Sequence, residues 1–339
     1  MPAPSPRLAV VGAGTWGTTL AILLSRSAPV VLLARDDAHA RTLARDGENR
    51  HYLPGVRLGE RVHVCADESA LGDASEMVIL AVPSWTMRST AARIAPALAG
   101  TPVLVSVAKG IEDGSLLRMS QVVAEVIPDA ADRVAALSGP NLALEVSRGL
   151  PAASVIAAVD DQVGRRVTEI LGGRTFRLYR NRDIVGVELA GALKNIVAIV
   201  AGAVDALEAG DNAKAAITTR GLAEITRLGV AMGANPLTFA GLAGIGDILA
   251  TASSSLSRNH RLGVELAAGR PWSEIEGSLP GVAEGAYTVR AAVALAARHG
   301  VEMPIAEEVN AVLYEGKDVR ASVTDLLSRT SKDELTGLD

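Results

Sequence analysis

Cysteine is almost missing from this chain of 339 residues: Cys65 stands alone. No disulfide can form within the chain, and the absence of paired cysteines suits a reducing compartment. Positive charge is not in excess. Thirty-three Lys and Arg face 38 Asp and Glu, a formal net charge of -5. No overall basic field therefore draws the protein to nucleic acid or to an anionic membrane. The five histidines (His39, His51, His63, His260 and His299) show no HxxxH or similar ligand spacing. With no cysteine cluster beside them, no metal site is expected. No GxSxG nucleophile motif occurs. A long lipid-spanning run is lacking too. The most apolar stretch, Ile184 to Val204, is interrupted by Glu188, Lys194 and Asn195, whereas a span needs about 20 mostly apolar residues. The start, MPAPSPRLAVVGAG, has no charged n-region followed by an apolar stretch and a cleavage site. No integral membrane segment and a cytoplasmic location are expected.

What is present is ordinary globular material, 49% hydrophobic and 21% charged, too apolar for disorder. At roughly 100–200 residues per domain, the length predicts two domains. Short continuous apolar runs occur at Leu8–Val11, Val30–Leu33, Met77–Val82, Val103–Val107, Val134–Leu137, Ser154–Val159 and Thr175–Leu178. Such runs suit strands buried on both faces of a mainly parallel sheet. Helical spacing lies between them at Trp16–Arg26, Ala38–Asp46, Met87–Leu98 and Leu116–Val126. This alternation predicts a doubly wound α/β domain over residues 1–184. Beyond it, long Ala/Leu/Glu/Arg-rich stretches take over: Val187–Leu207, Ala213–Met232, Asn259–Ala268 and Thr288–His299, parted by Gly233, Asn235-Pro236, Gly269 and Pro271. An all-α domain over 185–339 follows, with a polar end fraying from about Ser328.

Gly12-Ala13-Gly14-Thr15-Trp16-Gly17 joins the first strand to the first helix. In a dinucleotide loop, Gly12 makes the tight turn, Gly14 lets the backbone approach a pyrophosphate, and Gly17 lets the helix pack against the sheet. The helix N-terminus from Thr15 offers N–H groups and positive dipole to the phosphates. Strand-then-helix context is what separates this motif from a chance glycine turn, and it makes the α/β domain Rossmann-like. Trp16 either packs over the pyrophosphate or anchors the helix. The second strand runs into Arg35, then Asp36 and Asp37. Arginine there grips a 2′-phosphate, and an acid there serves the ribose hydroxyls of NAD. The balance tilts to NADP, with NAD open.

Five further stretches complete the pattern: SVAKGIE (Ser106–Glu112), SGPNLALE (Ser138–Glu145), VGVELAGALKNIVAI (Val185–Ile199), GLAGIGDILATASSSLSRNHRLG (Gly241–Gly263) and GVAEGAYT (Gly281–Thr288). With the glycine loop, they resemble the bacterial-type NAD(P)-dependent glycerol-3-phosphate dehydrogenases, collinearly from about Ala9 to Leu313. The resemblance implies hydride transfer between NAD or NADP and sn-glycerol 3-phosphate or dihydroxyacetone phosphate, supply of phospholipid synthesis, and a homodimer. Two departures stand out. Asn141 and Leu142 replace the family's usual Thr or Ser and Phe, and Thr251-Ala252 replaces a frequent Thr-Cys.

Oxidising a secondary alcohol needs a base, and the reverse needs an acid. Lys194 is the candidate. Its helical neighbours, Ala190, Gly191, Val197 and Ala198, include no acid. It projects from a small apolar stripe where desolvation would depress its pKa; the resemblance makes it the proton acceptor. Asn195 follows it and lies on the same helical stripe as Glu188, two turns earlier, with a structural hydrogen-bond role at least as plausible for that pair as a catalytic one. Lys109 follows a strand, where open α/β sheets bind ligands; by resemblance it touches both cofactor and substrate. Ser257, Arg258 and Asn259 combine a hydroxyl, a fork and an amide that suit a phosphate monoester, against a plain helix cap. Asp247 accepts the substrate's free hydroxyl, orients Lys194, or caps a helix. Gly139 and Asn141 bound the substrate pocket by resemblance. Ala143, Val282, Glu284 and Arg258 match cofactor contacts. A β-hydroxyacid dehydrogenase and a cofactor sensor without turnover are the competing readings.

Overall fold

The computed structural model describes residues 8–254, 256–278 and 281–329. The sequence readings of the chain's first seven residues and of its polar end fall almost wholly outside these. The chain forms two compact units. One comprises residues 1–108, 119–137 and 141–184, the other 109–118, 138–140 and 185–339.

The first unit is built on an eight-stranded sheet. Its strands are β1 (Leu8–Val11), β2 (Val30–Leu33), β3 (Val62–Cys65), β4 (Met77–Leu80), β5 (Val103–Ser106), β6 (Val134–Ser138), β7 (Ala152–Ala157) and β8 (Phe176–Asn181). Its helices are α1 (Thr15–Ser25), α2 (Asp37–Asp46), α3 (Met87–Ile94), α4 (Met119–Val126), α5 (Ala143–Ser147) and α6 (Asp161–Leu171). The spatial order is β3-β2-β1-β4-β5-β6-β7-β8. β1 pairs in parallel with both β2 and β4, setting Leu8 opposite Val30 and Met77. The chain thus winds outward from β1, then returns to its other side. That reversal is a topological switch point, where α/β sheets bind ligands. β1 and β4 are buried at every position, hence their unbroken apolar runs. β3 escaped the sequence reading because it is an edge strand of four half-exposed residues with His63 inside it. α4 also starts later than Leu116. Residues 109–118 instead form a small hairpin, bridged at Ile111 and Arg118, with Leu116 at φ 62°.

The second unit is helical: α7 (Ile184–Ala206), α8 (Asp211–Ala231), α9 (Pro236–Phe239), a π-turn at Leu242–Gly246, α10 (Asp247–Ala252), α11 (Arg258–Ala267), α12 (Trp272–Ile275), α13 (Glu284–His299), α14 (Pro304–Tyr314) and α15 (Val319–Ser328). α7 is the one described helix long and apolar enough to cross a membrane, yet 94% of its apolar window is buried inside the protein. A helix apolar on all sides belongs in a core. α11 crosses it closely. A Cβ on Gly202 would strike the carbonyl of His260, and one on Gly263 the carbonyl of Ile199. These glycines set the first half of α11 against the second half of α7.

Replacing Gly263 by Ala is expected to push the two helices apart and cost about 1–3 kcal/mol, as overpacking does. Urea unfolding should show a lower midpoint with an unchanged slope; an unchanged midpoint would deny the close crossing its structural weight.

Candidate active site

Lys194 sits mid-way along α7 with a side chain only 7% exposed. The stripe of small residues predicted around it is real: Ala190 and Ala198 are buried beside it. Its ammonium lies 3.0 Å from Asp247 Oδ1 and donates to Thr251 Oγ1. Thr251 in turn donates to the Asp247 carbonyl one helical turn back, at 2.7 Å. An ammonium has three donors, so one is left over among the described residues. Lys109, three residues past β5, donates to Asp247 Oδ2 at 2.5 Å and to the Gly139 carbonyl at 3.0 Å. Asp247 is therefore the hub of a Lys109–Asp247–Lys194 triad. It is the first residue of α10, delivered by the π-turn, and its side chain caps nothing. Burial pushes the Lys194 ammonium down to about 8, against the pull of Asp247 and helped by the repulsion of Lys109 and Arg258. Burial pushes the Asp247 carboxyl up, but the two lysines outweigh it and hold it below the ordinary range.

The asparagines brace the helices, the structural hydrogen-bond role open to Asn195 in the sequence. Asn259 Nδ2 donates to Asn195 Oδ1 at 2.9 Å, and Asn259 Oδ1 accepts from the Gly285 amide at 3.0 Å. Asn195 Nδ2 reaches the Lys109 carbonyl at 3.4 Å. This chain of amides ties α11, α13 and the Lys109 segment to α7. Ser257 caps α11, accepting from the His260 amide at 3.2 Å, so the cap reading holds for its hydroxyl. Arg258 makes no ion-pair contact among the described residues. Burial lowers its guanidinium pKa, with Glu284 opposing. Gly281, at φ 92°, lies against that guanidinium, with Val282 next to it and Glu284 opening α13.

In the first unit, Gly12 has φ 106°, and a Cβ there would strike the Ala81 carbonyl just beyond β4. A Cβ on Gly17 would strike the Gly12 carbonyl. Gly14 differs: a Cβ built on it meets nothing within 4 Å. The first turn of α1 carries neither a side-chain cap nor an acid. Open space over free amides fits a pyrophosphate. The Trp16 ring meets Phe176 edge-on at 6.1 Å, which favours its anchoring role. Ala143 opens α5, and its carbonyl receives Thr19 Oγ1 at 3.4 Å. Asp36 caps α2 through the His39 amide at 2.7 Å and also binds Arg35 Nε at 2.9 Å. The Arg35 side chain stays 78% exposed. Asn141 Oδ1 accepts from Ser154, leaving its Nδ2 buried without a partner among the described residues.

Comparison with known proteins bears on this arrangement. Residues 7–164 match the family described as NAD-dependent glycerol-3-phosphate dehydrogenase N-terminus, and 183–324 its C-terminus. The chain belongs to this family. A glycerol-3-phosphate dehydrogenase [NAD(P)+] of Moorella thermoacetica is 47% identical over 333 residues, 98% of each chain. Its counterpart in Streptomyces coelicolor is 44% identical over 97% of this chain and 98% of its own. The crystal structure of the glycerol-3-phosphate dehydrogenase of Coxiella burnetii superposes with a TM-score of 0.91 at 35% identity, covering 96% of this chain and 99% of that one. The Rossmann-like domain with a helical domain after it is thus shown both by architecture and by kinship.

Three residues of the site escaped sequence reasoning. Thr251 was noted only as part of a Thr-Ala departure, yet it receives Lys194; its spacing of four from Asp247 on one helix was the available signal. Arg118 and Glu188 form a buried ion pair at 2.5 Å; Glu188 was set on one stripe with Asn195 for a structural hydrogen bond, but nothing in the sequence paired it with Arg118.

Asp247→Asn removes the attraction that holds a proton on Lys194. Its titration, followed by NMR of labelled lysine side chains, should fall below about 8. A midpoint that stays or rises would show that Asp247 does not govern it.

Proposed function

We propose that the protein interconverts sn-glycerol 3-phosphate and dihydroxyacetone phosphate with NAD or NADP, and so supplies glycerol 3-phosphate for phospholipid synthesis. The buried Lys109–Asp247–Lys194 triad, in a member of this family, carries the reading. When bound, the nicotinamide takes or gives the hydride at C2. The protein manages the proton. Lys194 Nζ takes it from the C2 hydroxyl in oxidation and returns it to the carbonyl oxygen in reduction. With its pKa lowered to about 8, Lys194 can give or take a proton near neutral pH, where an ordinary lysine stays charged. Lys109 and Arg258, with Lys194, outnumber Asp247 and Glu284 and draw a dianionic phosphate monoester. Arg258 takes the phosphate or a cofactor oxygen through its fork, helped by Ser257 and Asn259 at the start of α11. Gly139 and Asn141 border the substrate, and the unpartnered Asn141 amide supplies a donor.

For the cofactor, we place the pyrophosphate on the Gly12–Gly17 loop with Thr15 and Trp16, and further contacts at Ala143, Val282, Glu284, Lys109 and Arg258. Arg35 serves a 2′-phosphate, since only its Nε is tied to Asp36. Residues 1–184 form the cofactor half and 185–339 the substrate half, with 109–118 and 138–140 joining the latter. We infer a cytoplasmic site of action from the lone cysteine and a homodimer from the family resemblance.

The test is loss of reduced-nicotinamide absorbance with dihydroxyacetone phosphate, run with NADH and with NADPH. Reduction should weaken as pH rises through about 8, and glycerol 3-phosphate oxidation should strengthen over the same interval, because one needs the acid and the other the base. Lys194→Ala should abolish both while cofactor still binds; turnover that survives in this variant would defeat the assignment. Arg35→Ala should slow NADPH more than NADH, and equal losses would remove the 2′-phosphate contact. Light scattering is expected to give twice the chain mass of 34.9 kDa; a monomer mass would end the dimer proposal.

A further inference from the structure

α7 presents one continuous stripe: Glu188, Gly191, Lys194 and Asn195 recur at three- and four-residue spacing. The hairpin of residues 109–118 is held to this stripe at both ends. At one end, Asn195 Nδ2 donates to the Lys109 carbonyl and Asp247 takes its ammonium. At the other, the Arg118 guanidinium donates to Glu188 Oε2 at 2.5 Å, with both side chains almost wholly buried. Between them, Gly191 leaves the space that Ser138 and the Lys109 stem occupy; a Cβ there would strike Ser138 Oγ. The hairpin has its own local ties, from the Glu112 amide to the Leu117 carbonyl at 3.0 Å and across the Ile111–Arg118 bridge. It also holds a leucine, Leu116, in the left-handed region at φ 62°, a conformation that persists only where surroundings impose it.

We propose that Arg118 and Glu188 are positioning residues for the reaction: their buried ion pair staples the far end of the 109–118 hairpin to α7 and thereby fixes the Lys109 ammonium against Asp247 and Lys194. The inference rests on the function assigned to that triad. A buried ion pair is a poor source of stability, because desolvating two charges offsets their attraction. What this one does is join a strained loop to the helix that carries the proton-transfer lysine. Its removal releases Lys109. Lys194 then loses a repelling ammonium and keeps Asp247 to itself, so it holds its proton to higher pH.

The test uses the full chain in two forms. Removing both charges together, Arg118→Met with Glu188→Leu, avoids stranding one buried charge. Arg118→Lys keeps the charge and loses the fork. Unfolding curves establish that each is folded. In the double variant, kcat/KM is expected to fall on the order of 10- to 100-fold, the cost of a small misplacement of a reacting group. The midpoint of its pH profile is expected to move up from about 8, and amides of residues 109–118 should exchange faster with deuterium. Arg118→Lys should show the same changes in smaller measure, and it carries the test alone if the double variant does not fold. A folded variant with an unshifted pH midpoint and unchanged exchange in the hairpin would overturn the proposal, whatever its melting temperature. Absence of turnover in the unaltered protein would count instead against the assigned reaction, a separate failure that the exchange measurement does not share.

Discussion

One carboxylate organises the second unit. Asp247 lies buried with a lysine ammonium on each side, Lys109 at 2.5 Å and Lys194 at 3.0 Å. Lys194 would not readily stay charged at such depth without it, since burial of an unpaired charge is expensive. Nor would the carboxylate remain ionised without the lysines. The three groups are stable only together, so the elements that carry them must arrive together. α7 brings Lys194, the strand-end segment brings Lys109, and α10 brings Asp247. The glycines before Asp247 have a plain purpose in this light. A Cβ on Gly244 would collide with the Phe239 carbonyl, and the π-turn that aims Asp247 could not close.

The chemistry follows from an imbalance within that cluster. Burial pulls Lys194 toward the neutral form and Asp247 pulls it back. A stronger carboxylate grip would leave a permanent ammonium, useless as a base. A weaker one would leave a permanent amine, useless as an acid. With the midpoint near 8, the same nitrogen can hold or release a proton near neutral pH, which is what the role proposed for it requires. Thr251 adds a neutral acceptor that orients the ammonium without adding charge. The amides of Asn195 and Asn259 brace the surrounding helices in the same charge-free way.

Much of this was legible in residue order. β1 and β4, buried on both faces, announced themselves as unbroken apolar runs. The glycine loop was readable because each glycine answers a local demand: a left-handed φ at Gly12 and a close carbonyl at Gly17. Edge strand β3 was not, because four residues with exposed sides carry little periodicity. Lys194 stood out by the lack of any acid within a helical turn. That absence put its partner elsewhere in the chain; Asp247 was named for it, with a substrate contact and a helix cap left open beside it.

The division has a physical cause. Backbone preference, turn chemistry and the period of apolar residues act over a few positions, so the chain order alone marked most of the strands and helices, the glycine loop and the candidate lysine. Charge pairing acts through space. Lys109 and Asp247 are 138 positions apart, and Arg118 and Glu188 are 70. No local pattern encodes such pairs. Folding chose Asp247 over a helix cap, turned Asn259 into a brace between helices, and set the depth of burial that moves the Lys194 pKa.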